Sequence, residues 1–330
     1  MKNLNKFSLF CVSVAVALSL AGCAKHDTTP QNSGLKFENS AKQEYMAAQM
    51  DKFFNPDKNA PKPAPFSAPS GWEHSEIMSG ELKIEKLANL KSNSNLTILQ
   101  LHGGGYVGGL NDRYRNFALK HALVTGAKEI YMLNYRLAPK FTYPAALEDA
   151  FSAYEYLLAN GVKPENIAII GDSAGGNLAL ALSLYLKEKN VAQPRLMVLI
   201  SPWTDMSMAL ASKKDNAKKD AVLGEKNKFL YKEIIAPPSY AKNFDLKDPR
   251  LSPLYADLSD LPPMLIQVGA YELLADDGVE LARRLAKANG EFSLSVYSSM
   301  PHDFALVMPE LWESESSFIE IKDFINRYKN

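Results

Sequence analysis

Gly171-Asp172-Ser173-Ala174-Gly175 lies between an apolar, β-branched run, Ile167-Ala168-Ile169-Ile170, and a strongly helical run over residues 177–189. A serine set between glycines, after a short buried strand and before a helix, sits on a turn too tight for side chains at the flanking positions. That context makes Ser173 a candidate nucleophile, against the plainer reading of a glycine-rich strand-to-helix turn. Upstream, Leu96-Thr97-Ile98-Leu99-Gln100-Leu101 reads as another buried strand, leading into His102-Gly103-Gly104-Gly105. Backbone N–H groups on such a loop are the donors that stabilise an oxyanion when a hydroxyl attacks a carbonyl. A phosphate cradle is the competing reading. No Gly-Lys-Ser/Thr follows the glycines and no acidic residue ends the next strand, which argues against nucleotide binding.

Working outward, residues 72–78 and 81–87 alternate weakly about Ser79-Gly80 and read as an antiparallel pair. Strands are expected at 130–134, 167–170, 196–200, 264–268 and 292–297, and helices at 145–159, 177–189 and 276–288. Strands alternating with helices predict a mostly parallel sheet covered by helices, an α/β fold. Residues 205–249 interrupt the alternation with a polar, lysine-rich stretch longer than an ordinary connection, the usual mark of a lid. Residues 37–54 carry apolar positions at amphipathic helical spacing, and 55–70 hold five prolines and cannot be regular structure.

The 330 residues are 46% hydrophobic, enough for a large core, and 37 basic residues balance 37 acidic ones. With no basic stripe at helical spacing, nucleic acid is not an expected partner. Lys2 and Lys6 precede an apolar stretch from Phe7 to Leu20, which reads as a signal peptide over residues 1–22. Its end, Leu20-Ala21-Gly22-Cys23, resembles the bacterial lipobox, so Cys23 is the expected lipid site and the bacterial cell envelope the expected location. The chain would then partner a membrane through its lipid anchor. Residues 23–36, rich in Thr, Asn, Ser and Pro, read as a tether. Residues 37–70 form an N-terminal cap helix and linker, and 71–330 a catalytic domain with a cap insertion at about 205–249. The two cysteines, Cys11 and Cys23, leave no disulfide within that domain.

The glycine loop, the serine turn extended through Gly176-Asn177, Asn134-Tyr135-Arg136-Leu137-Ala138-Pro139, Ser201-Pro202-Trp203-Thr204-Asp205 and Asp248-Pro249-Arg250-Leu251-Ser252-Pro253-Leu254 occur in one order. In combination they resemble the bacterial hormone-sensitive-lipase group, family IV, of α/β-hydrolases, from about Gly71 onward. The resemblance implies a sheet of about eight strands, a helical cap, and hydrolysis of carboxylic esters by a Ser-His-acid triad with no metal or cofactor; the limited depth of a capped pocket leads to the expectation of short-chain esters. Carried over by position, Gly103, Gly104 and the N–H of Ala174 form the oxyanion hole, and His102 orders the loop. Of the five histidines, His26 lies in the tether, His74 before the sheet, His102 in the glycine loop and His121 in a helical stretch. The family's chain order, serine then acid then histidine, points to His302 in the turn after residues 292–297.

The acid departs from the family pattern. Where Asp-Pro-Leu-x-Asp is usual, this chain reads Tyr271-Glu272-Leu273-Leu274-Ala275-Asp276-Asp277. Alignment on the leucine places Glu272 at the triad aspartate, with Asp276 the alternative. Asp276 and Asp277 are expected to cap the following helix. An amidase or deacetylase and a non-catalytic binding protein on the same scaffold are the competing readings. Tyr45, Phe53, Phe54, Phe229 and Tyr231 are expected to fill the substrate pocket beneath a cap made of the 37–54 helix and part of 205–249. The expected assembly is a monomer or a homodimer, with a small-molecule ester as substrate.

Overall fold

A computed structural model describes residues 32–37, 39–55 and 64–329, the side chains of Asn39, Ser40, Phe53 and Phe54 excepted. The expected signal peptide, Cys23 and residues 56–63 of the proline linker lie outside the described residues. The end of the stretch read as a tether is docked. Leu35 bridges Leu311 through Leu35 N to Glu310 O (2.7 Å) and Trp312 N to Leu35 O (2.9 Å).

Eight strands form one sheet in the order β1-β2-β4-β3-β5-β6-β7-β8. β1 (Trp72–Ser79) and β2 (Leu82–Asn89) are the antiparallel pair, turning at Gly80, whose φ of +62° suits glycine. β2 also runs antiparallel to β4 (Glu129–Leu133), and all later pairings are parallel. β3 (Thr97–Leu101), β5 (Ile167–Asp172), β6 (Leu196–Ile200) and β7 (Met264–Gly269) are buried at every residue. Strands buried on both faces need helices on both, which is why they read as unbroken apolar runs.

Right-handed crossovers then assign the helices to faces. α2 (Asp112–Thr125) links β3 to β4 in one direction across the sheet. α3 (Ala145–Ala159), α4 (Ala174–Glu188) and α7 (Ala275–Lys287) link β4 to β5, β5 to β6 and β7 to β8 (Phe292–Tyr297) in the other, so they take the opposite face. α9 (Trp312–Arg327) packs on α2 and buries Phe318, Ile321, Phe324 and Ile325 at helical spacing. Asn111 caps the start of α2, accepting from the N–H groups of Arg113 and Tyr114, and Gly126 closes its end.

The 205–249 insertion contains α5 (Ser212–Asp215), α6 (Lys228–Ile235) and a 3-10 turn at Ser239–Ala241. Lys213 holds its base to the domain. This fully buried ammonium donates to the carbonyls of Asp205 and Ser207 and faces Asp205 Oδ2 at 3.9 Å and Asp277 Oδ2 at 3.7 Å. A buried cation persists only when partnered in this way. α1 (Asn39–Phe54) buries Met46 and Met50.

Candidate active site

The chain leaves β3 toward β4 on one side and returns to β5 on the other, so direction reverses between β3 and β5. In open α/β sheets such a switch point opens a crevice at the carboxyl ends of the strands. Register makes the crevice specific. Leu101 pairs with Gly171, so His102-Gly103 and Asp172-Ser173 emerge side by side.

Ser173 sits at φ +53°, ψ −118°, a strained region for a residue with a Cβ. The surroundings hold it there: Ser173 N donates to Ile200 O (2.9 Å), and Ser173 O accepts from Trp203 N (3.0 Å) and Asn177 N (3.1 Å). The flanking glycines are required by contact. A Cβ on Gly171 would overlap the Gly175 carbonyl, and one on Gly175 would overlap the Leu101 carbonyl of β3. α4 starts immediately at Ala174, so the serine is presented at a helix N-terminus.

The glycine loop docks on the same turn. Gly103 N donates to Asp172 Oδ2 at 3.1 Å, and Tyr114 OH of α2 donates to the same oxygen at 3.1 Å. This corrects one sequence-based expectation: the Gly103 N–H is engaged with Asp172 and is not a free donor. The N–H groups of Gly104, Gly105 and Ala174 donate to no acceptor among the described residues. His102 stacks on Tyr135 (centroids 4.1 Å apart) and its Nδ1 donates to Gly103 O at 2.7 Å, while Tyr135 OH donates to His102 O. Burial lowers the His102 pKa to about 4, so it stays neutral and orders the loop.

His302 follows β8 in a turn that lines the crevice. Its Nδ1 lies 3.8 Å from Glu272 Oε2 and its Nε2 lies 3.0 Å from Asp303 Oδ2. Asp276 points elsewhere: its Oδ2 accepts from Ser212 N at 2.8 Å. Nor does either aspartate cap α7, as had been expected. Asp277 Oδ1 accepts from Asp205 N at 2.7 Å, and both tie the insertion to the acid-bearing loop.

Burial would lower the His302 pKa, but Asp303, Glu272 and Asp220 outweigh it and raise it to about 9. Burial raises Glu272 to about 8, against the opposing pull of His302 and the Ser201 hydroxyl. Asp172 is pushed well above the carboxylate range, first by burial and then by Asp303. Burial and repulsion from neighbouring carboxylates account for the raised carboxyl groups, and attraction to those carboxylates for the raised imidazole.

Two side chains that hold this arrangement carried no assigned role in the sequence. Ser201, at φ +45° after β6, donates from Oγ to Glu272 Oε2 (2.6 Å) and accepts from Asp303 N (3.1 Å), joining acid loop and histidine turn. Asp220, from the insertion, accepts from the N–H groups of Leu273 (2.8 Å), Val222 (2.9 Å), Leu223 (3.2 Å) and His302 (3.4 Å). The signals for Ser201 were its place at the carboxyl end of the strand beside β5 and at the head of Ser201-Pro202-Trp203-Thr204-Asp205. Asp220 had none, since the partners that tie it to the site, the N–H groups of Leu273 and His302, lie 53 and 82 positions away in the chain.

Ser173, His302, Gly104 and Gly105 line one cavity of about 380 Å³, walled mainly by apolar side chains, among them Val222, Leu223, Leu230, Ile234 and Leu306. Of the aromatic residues expected to line the pocket, the three with described side chains do not line the cavity. Tyr45 stacks on Phe37 and donates to Glu310; Phe229 is 65% exposed and Tyr231 half-buried, and neither lines the cavity. The side chains of Phe53 and Phe54 lie outside the described residues. No described residue of α1 reaches the cavity; Met46 and Met50 line a separate cleft with Lys218, Lys219, Asp220 and Tyr271. The helix therefore backs the insertion, which itself supplies the wall. His74 lies within β1, its Nε2 2.8 Å from Glu85 Oε2, and His121 is a core residue beside Gln100.

A family model of the alpha/beta hydrolase fold matches residues 98–306, from β3 through the turn that carries His302. An esterase of Acinetobacter venetianus is 34% identical over 229 residues, 69% of this chain and 73% of that one. An ethyl acetate hydrolase of Pseudomonas putida is 31% identical over 237 residues, 70% and 73% of the two chains. Among solved structures, an esterase from the bacterial hormone-sensitive lipase (HSL) family matches 88% of this chain and 99% of its own, with a TM-score of 0.76 at 28% identity. The chain belongs to the α/β-hydrolases and, within them, to the bacterial hormone-sensitive-lipase group.

Proposed function

We propose that this chain is a serine carboxylesterase acting on short-chain esters, with Ser173 as nucleophile, His302 as general base and Glu272 as the acid behind it. One observation carries the reading: Ser173, Gly104 and Gly105 with unengaged N–H groups, and His302 backed by Glu272 line or adjoin a single apolar cavity, with the unengaged Ala174 N–H directly after the serine. Ser173 Oγ attacks the ester carbonyl as His302 Nε2 takes its proton. The oxyanion settles among the three N–H groups, which are fixed in a site shielded from water and pointed where charge develops. His302 returns the proton to the leaving alkoxide, and water releases the acid by the same steps. Gly104 and Gly105, rather than Gly103 and Gly104, are the loop donors, because Asp172 already occupies Gly103.

Hydrolysis of p-nitrophenyl esters of rising acyl length tests the substrate class. Each methylene that enters the Val222, Leu223 and Leu230 wall contributes about 0.8 kcal/mol, roughly fourfold in kcat/KM, until the space is filled. Beyond that, added carbons clash. The expected maximum lies between acetyl and hexanoyl esters; a profile still climbing at dodecanoyl would rule out the short-chain reading, and no turnover of any ester would rule out the esterase.

Glu272→Gln separates the two acids. It should lower kcat by about 100-fold to 10,000-fold, because only the charge facing His302 Nδ1 holds the working tautomer and stabilises the imidazolium. Asp276→Asn should leave kcat within a few-fold and cost about 1 kcal/mol of stability by weakening the bond to Ser212 N. The reverse ranking in steady-state kinetics would move the acid to Asp276.

A further inference from the structure

The mechanism above leaves one group unexplained. Asp303 follows the base directly, is buried, and adopts φ +48° at the start of α8 (Phe304–Val307). Its Oδ2 lies 3.0 Å from His302 Nε2, the nitrogen that must face Ser173, whereas its Oδ1 is buried with no hydrogen-bond partner. A carboxylate with one oxygen unpartnered in the interior is costly unless its charge acts on something. Here the imidazole is what it touches.

We propose that Asp303 holds the Nε2 proton of His302 in the substrate-free enzyme and thereby sets the pH above which His302 is free to serve Ser173. Asp303 is thus a positioning residue, acting through His302, and this rests on the reading of His302 as the general base. The other groups facing the imidazole support the direction. Glu272 approaches Nδ1 from the loop after β7, Asp220 reaches the His302 backbone from the insertion, and Asp172 interacts from the end of β5. Arg113 and Tyr114 of α2 and Glu233 of α6 line the same cavity. Of these, Asp303 alone contacts the nitrogen the reaction needs. An opposite charge in contact favours the charged form by about one to three pH units, so the imidazolium persists into the alkaline range. The base works only when neutral, so activity is lost as pH falls through the raised pKa.

Asp303→Asn keeps the shape and tolerates the left-handed backbone while removing the charge; Asp303→Gly removes the contact altogether. The full-length chain, its two variants and His302→Ala are compared by kcat/KM for p-nitrophenyl butyrate across pH. NMR titration of the His302 ring in the Ser173→Ala background, with and without Asp303→Asn, reads the same group without turnover. The expected result is an acid limb and a ring midpoint lower by about one unit or more in both Asp303 variants, with roughly tenfold more activity than the parent on its acid limb. If Asp303 serves only to start α8, the limb and midpoint stay in place while His302→Ala is inactive, and the proposal fails. An active His302→Ala would instead overturn the assignment of the base. Variants too unstable for kinetics are decided by the NMR midpoint, where no change again counts against Asp303.

Discussion

Ser173→Ala abolishes ester hydrolysis, with an expected loss in kcat of roughly 10,000-fold to a million-fold, because nucleophile and base act as a unit and only binding and the oxyanion donors remain. Folding should be unaffected. Alanine retains the Cβ, so the strained φ of +53° is no worse than before, and Ile200 and Trp203 still hold the backbone. The Ser173 hydroxyl carries no hydrogen bond on which the fold depends. A melting temperature equal to the parent's, with hydrolysis of p-nitrophenyl acetate at background, is the expected pair of measurements. Retention of more than a few per cent of parental kcat excludes Ser173 as the nucleophile.

The largest expected effect on stability comes from Asn177, one turn into α4. Its Oδ1 accepts from Tyr106 OH at 2.6 Å, and its Nδ2 donates to Trp203 O at 2.8 Å and Leu251 O at 2.9 Å. One buried amide therefore joins the serine helix, the end of the glycine loop, the segment after β6 and the segment after the insertion. Tyr106 in turn stacks on Tyr240 of the insertion, with centroids 3.8 Å apart. Asn177→Leu is similar in volume but leaves three buried polar groups unpartnered at about 1–3 kcal/mol each. A total near 4 kcal/mol is a large part of the 5–15 kcal/mol typical of a folded domain, and lowers Tm by roughly 10 °C. Activity should fall as well, since Tyr106 follows the donors Gly104 and Gly105. Thermal melts by circular dichroism decide it; a Tm within 2 °C of the parent would show that the amide is dispensable.

Much of this protein was legible without coordinates, because the relevant forces are local in the chain. Fully buried parallel strands must be unbroken apolar runs, so β3, β5, β6 and β7 stand out. A turn that presents a serine between a strand and a helix must be glycine-flanked, so Ser173 stands out too. The match of residues 98–306 to the alpha/beta hydrolase fold agrees with the fold read from those strands. What tertiary structure decided are contacts between segments distant in sequence. Gly103 looked identical to Gly104 and Gly105 until Asp172, 69 positions away, engaged its N–H. Asp276 and Asp277 had the composition of helix caps, yet packing turned them toward Ser212 and Asp205 of the insertion. The aromatic residues of the insertion looked like a pocket lining, but amphipathic spacing says which side chains share a face and not what that face meets. Likewise no pattern marked Asp220 or Asp303, and the motif that holds Ser201 gave it no role, because a carboxylate or hydroxyl acquires its role from the groups that folding brings within about 3 Å of it, and the one-dimensional chain carries no record of that distance.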